Sequence, residues 1–244
     1  MRRALPMLLL LPLLGPLCWA GAARAQNAVG TPNIPQHRLE IWDIRLGVAA
    51  AGLPDEFVDY ACGTDGGPPS LPLTNFTGYK RCRAETSGLR EVYFRYDDEL
   101  EYWARANDVL AQFQQYAGTK TYGFPIVASV LFDDAGIAKG IRIVSDPRDE
   151  NQDRDEAYLL KNFLTARFGR DGWACSNLAP DPGETPVDGV LIKQNCRKDI
   201  DAETTAFLDP RFLRKPGQAH FDPHSGKETQ GEFESSVHFE LIRK

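Results

Sequence analysis

Residues 61–85 read ACGTDGGPPSLPLTNFTGYKRCRAE, and residues 174–199 read ACSNLAPDPGETPVDGVLIKQNCRKD. In each stretch Ala-Cys opens a loop rich in glycine and proline. A second cysteine, twenty residues on in the first and twenty-one in the second, begins a basic-to-acidic tetrad (Cys82-Arg83-Ala84-Glu85; Cys196-Arg197-Lys198-Asp199). Such loops interrupt helix and strand alike. The repetition predicts a duplicated unit with its own bridge, which favours Cys62–Cys82 and Cys175–Cys196 among the three pairings that four cysteines allow. A zinc site is the competing use of the four thiols, but no C-x-x-C pair occurs and no histidine stands near them. Each closed loop would contribute ~3 kcal/mol by restricting the unfolded chain.

The compartment is read upstream. Arg2 and Arg3, the apolar run from Leu5 to Ala20, and Ala23-Arg24-Ala25 have the form of a secretory signal over residues 1–25, cleaved before Gln26. The run is too short to span a bilayer and carries Pro6, Pro12 and Pro16. Cys18 leaves with it, so an even number of cysteines enters an oxidising compartment, periplasmic or extracellular, where pairing is the default. Cleavage removes three arginines and no acid, leaving 25 basic against 34 acidic residues. That balance disfavours nucleic acid and anionic membranes as partners.

Residues 26–38 are polar, with Pro32 and Pro35, and read as a flexible leader. Beyond them the fold class expected is α+β, two tandem helix-plus-antiparallel-sheet units at 39–148 and 149–244, joined through the charged run 146–155. In the first unit Leu53, Phe57, Val58 and Ala61 recur at helical spacing, the runs 79–83 and 92–96 alternate as strands, and Leu100 to Tyr116 form an amphipathic helix. Asp133-Asp134-Ala135-Gly136 joins the strands 126–132 and 141–144 as a hairpin. In the second, an apolar stripe from Leu159 to Phe168 ends at Gly169, and strands follow at 190–196, 204–208 and 237–242.

Leu46-Gly47 with Leu53, Phe57 and Cys62–Cys82, and Phe168-Gly169 with Cys175–Cys196, carry a resemblance. A tandem of cysteine-bridged helix-plus-sheet units resembles the beta-lactamase inhibitory protein family, and the small outer-membrane-assembly lipoproteins are similar in using one such unit. The helix over 99–117 has no counterpart in that repeat, and the Gly-Met-Thr phrase usual at the helix start is missing from both copies. The resemblance implies a binding module whose sheet faces a protein partner.

Candidate chemistry is sparse. Asp149, Asn151, Asp153 and Asp155 alternate as in calcium loops, but Arg154 stands where such a loop needs glycine and Leu160 where it needs glutamate. His220, Asp222 and His224 share one side of an extended segment and could hold zinc or copper; Asp222-Pro223 and Ser225-Gly226 also read as a turn. No G-x-S-x-G, H-E-x-x-H or phosphate-cradling loop occurs. Acid pairs at Asp97-Asp98 and Asp133-Asp134 read as turn residues before general acids. The expectation is therefore a non-catalytic binding protein needing no cofactor, with a metal-binding protein or an enzyme using acidic residues as the alternative. The strand 91–96 puts Val92, Phe94 and Tyr96 toward a core and Glu91, Tyr93 and Arg95 outward. Tyr93 and Arg95, enlarged by Tyr79 and Arg81, form the expected partner-binding patch.

Overall fold

Antiparallel strands form the framework of this chain. The computed structural model describes residues 38–148, 151–218, 220–221, 223–225, 228–229 and 232–244; of 151–152, 220–221 and 228–229 only the backbone is described. The expected signal peptide lies outside the described residues. The strands are β1 Val58–Cys62, β2 Arg90–Arg95, β3 Lys120–Thr121, β4 Phe124–Phe132, β5 Ala138–Ser145, β6 Ala174–Asn177, β7 Ile192–Asp199, β8 Thr204–Leu213, β9 His220–Phe221, β10 Glu228–Thr229 and β11 Glu234–Arg243. Nine of them build one antiparallel sheet in the order β1-β2-β4-β5-β11-β8-β7-β6, with β3 attached to β4, while β9 and β10 pair with each other.

The expected balance of helix and sheet is not what forms. The sheet dominates, and the helices α1 Glu99–Ala106, α2 Leu110–Tyr116, α3 Asn151–Asp155 and α4 Leu160–Arg167 are five to eight residues long. The helix expected over 53–61 is β1, because Tyr60 and Cys62 enter the core while Ala61 turns to the other face. Two-residue alternation with β2 as partner there outweighs a coincidental helical spacing. The strand expected at 79–83 is a 3-10 helix, Phe76–Arg81, whose first turn is capped by the Asn75 side chain accepting from the Thr77 amide at 3.0 Å. The long helix breaks after Ala106, and Asp108 takes φ +54°, a left-handed conformation that ends α1.

Both bridges form: Cys62–Cys82 ties β1 to the end of that 3-10 helix, and Cys175–Cys196 joins directly opposed residues of β6 and β7. Strands from 39–148 fill one side of the sheet and strands from 149–244 the other. They meet where β5 pairs β11, from Val144 opposite His238 to Gly140 opposite Ile242. One face is covered by α4 and the 3-10 turns, and a single core cluster holds Phe94, Ile143, Phe239 and Leu208 with Leu160, Leu164, Ile41 and Phe76. Among the described residues no helix is long and apolar enough to cross a membrane.

Candidate functional site

The opposite face carries the polar alternates of those strands, and two places on it are built from several segments. The first surrounds Tyr93. Its ring is buried against Ala61, Val127 and Val144, at the floor of a cleft of about 680 Å³ rimmed by Arg95, Phe113, Lys120, Asp146 and Arg148. Burial raises the Tyr93 phenol above its ordinary value, opposed by Arg148 and Arg95. The rim cations each rest on a carboxylate. Arg95 Nη1 donates to Asp59 Oδ2 at 2.8 Å, Arg148 grips Asp146 through Nε at 2.8 Å and Nη2 at 2.7 Å, and Lys120 Nζ lies 3.8 Å from Asp153. The Arg95–Asp59 and Lys120–Asp153 pairs rest on exposed carboxylates and contribute at most ~1 kcal/mol each, so an incoming carboxylate can replace one without a large loss, whereas Arg148 holds the more buried Asp146 through two nitrogens.

The second place is an ion cluster around Arg142 on β5. Only 5% of Arg142 is exposed. Its Nε donates to Glu240 Oε1 at 2.7 Å; Nη1 donates to Glu85 Oε1 at 2.7 Å and Glu91 Oε2 at 2.8 Å; Nη2 donates to Glu85 Oε2 at 3.0 Å. Burial alone would lower the guanidinium, but Glu85, Glu91 and Glu240 outweigh it and raise it. The loop after β1 folds over this cluster. Gly66, at φ +81°, lies so close to Val144 that a Cβ there would fall 2.6 Å from its side chain, and this contact seats Asp65. The Asp65 amide donates to Glu91 Oε2 at 2.7 Å, and Asp65 Oδ1 stands 2.6 Å from His238 Nε2 and 3.3 Å from Arg142 Nε. The His238 hydrogen bond is the main reason the Asp65 carboxyl is lowered. Burial would lower His238, and Asp65 with Glu240 outweighs it, so the imidazole is raised.

The structure separates the four residues of the expected patch. Tyr93 and Arg95 share the cleft, but Tyr79 is a core residue against Phe132 whose hydroxyl donates to the Asp134 carbonyl at 3.3 Å. Arg81 is exposed and donates to the Pro72 carbonyl at 3.4 Å. The reason is the 3-10 turn, which aims residues two apart in different directions. The alternating acids fare likewise: Asp153 and Asp155 lie on α3, where residues two apart point to nearly opposite sides, and they face Lys120 and Arg154 respectively. Asp149 lies outside the described residues and only the backbone of Asn151 is described, so no calcium loop is assembled from those that are. Of the histidine group, Asp222 lies outside the described residues, His220 is described only as backbone of β9, and His224 is exposed. His238 is instead drawn to Asp65 and Glu240. Sequence reading missed that gathering because its members come from a turn, a loop and three strands; the one local signal was the polar series Glu234, Ser236, His238 and Glu240 at alternate positions of β11. No protein-family model, curated protein or solved structure matches the chain.

Proposed function

We propose that this is an exported, periplasmic or secreted protein that acts by binding a protein partner through the sheet face not covered by α4, at the cleft over Tyr93, and that it does no catalysis. The carrying observation is the cleft itself: an aromatic floor and three rim cations, two of which, Arg95 and Lys120, are held by weak, exchangeable pairs with exposed carboxylates. Aromatic and arginine side chains contribute disproportionately to protein interfaces. The two disulfides suit the oxidising compartment such a protein works in. The resemblance to the beta-lactamase inhibitory protein family points the same way.

Tyr93 is too buried to serve as a surface probe, so the test uses the rim. A photo-crosslinking amino acid at position 113 should yield one discrete adduct with a protein of the exported fraction. The pair Arg95→Glu with Lys120→Glu should remove that adduct while shifting the melting temperature by less than about 3 °C, as surface substitutions do. An adduct that survives the charge reversal, or none from the unaltered rim, rejects the cleft as the site.

A further inference from the structure

We propose that Asp65, His238 and Glu240 form a binding site for one divalent transition-metal ion, with zinc the ion their ligand set suits. One oxygen or nitrogen donor from each lies within 4.8 Å of the others. An imidazole with two carboxylates is a donor set zinc takes at bond lengths of about 2.0–2.2 Å, which puts tetrahedral donor atoms about 3.3 Å apart. His238 Nε2 is 2.6 Å from Asp65 Oδ1 and 4.0 Å from Glu240 Oε1, distances that bracket that spacing. The Asp65 side chain is largely exposed and can make the small adjustment.

Charge gives an independent reason. Asp65, Glu85, Glu91 and Glu240 all contact the single guanidinium of Arg142, so the cluster carries an excess of negative charge. Glu91, next to Asp65 and only 3% exposed, keeps its Oε1 without a hydrogen-bond partner. A dication would offset that surplus. Arg142 Nε, 2.7 Å from Glu240 Oε1 and 3.3 Å from Asp65 Oδ1, then fixes both carboxylates by hydrogen bond and charge, as outer partners of metal-bound carboxylates do. Three protein donors leave a fourth position open to water or to a group from another molecule.

The test is calorimetric titration of the metal-stripped exported chain with zinc chloride near pH 7.5. One zinc per chain at micromolar or tighter affinity is expected. His238→Gln and Asp65→Asn should each weaken binding more than roughly tenfold, whereas His220→Gln with His224→Gln should bind like the wild type. Zinc-edge X-ray absorption on the wild-type chain, which needs no variant to fold, should show one imidazole among oxygen donors. Absence of binding, undiminished binding by His238→Gln, loss of binding in the His220/His224 variant, or a shell without imidazole would each overturn the assignment.

Discussion

At the scale of single residues, Arg142 has the most to lose. It is buried among three glutamates, and Glu91 is as buried as it is. Arg142→Met leaves Glu91 charged and desolvated, which costs about 3–5 kcal/mol in such settings. Glu85, more exposed, should cost clearly less when changed to Gln. Urea unfolding of the two variants measures this, and an Arg142→Met protein within 1 kcal/mol of the wild type, roughly the worth of a surface pair, contradicts the account. At the cleft, burial would raise the Asp146 carboxyl, but its hydrogen bonds from Arg148 prevail and lower it. A lowered carboxylate contributes stability that is fully present above its unfolded range, about pH 4, and is lost as pH falls through the folded value. Asp146→Asn should therefore flatten the fall in stability below about pH 4; an unchanged slope would mean that the pair contributes nothing. Neither role was legible in the sequence. Arg142 and Asp146 read there as a strand cation and a linker acid, since a charge network depends on what lies across the sheet.

At the scale of elements, the hairpin at 133–136, the strand 90–95 and the apolar stripe of α4 were legible, because each carries its own period and its own turn residue. Gly136 indeed takes φ +81°, and its amide donates to the Asp133 carbonyl at 3.0 Å. Of the elements misread, β1 and the 3-10 turn Phe76–Arg81 are short and flank the first disulfide, where tertiary partners outweigh local preference. The two bridges act on different elements. Outside β7, β6 has exposed residues and little packing, whereas β1 is bonded along its outer edge by 70–73, with the Cys62 amide donating to Leu71 and the Leu73 amide to Tyr60, each at 2.8 Å. Replacing Cys175 and Cys196 by alanine should release β6 with fast amide exchange confined to 174–177 and its partners on β7. Replacing Cys62 and Cys82, both in the main core, should lower global stability by ~3 kcal/mol. Equal, global effects of both pairs would refute the distinction.

At the scale of the whole molecule, the seam between β5 and β11 and the shared core make the two halves one cooperative structure. Trp42 shows how: it packs on Phe168 and Phe239 from the second half, donates to Thr121 Oγ1 at 2.9 Å, and lies under Arg167 at 4.0 Å. Phe239→Ala, at a fully buried seam position, should cost about 3–5 kcal/mol and speed exchange in β2 and β8 together. Unfolding should be a single transition by fluorescence and near-ultraviolet dichroism, and two separated transitions would show independent units. The sequence by itself favoured the cysteine pairing that forms, carried the export-type leader as an expectation, and placed Val92, Phe94 and Tyr96 in the core, because spacing and alternation are local properties of the chain. Only the tertiary structure decided that both halves share one sheet, that Tyr79 is core while Tyr93 floors a cleft, and that Asp65 meets His238 across 173 positions. Those outcomes depend on strand order, register and loop path, which are set by the packing of distant apolar faces and leave no periodic mark on the residues they bring together.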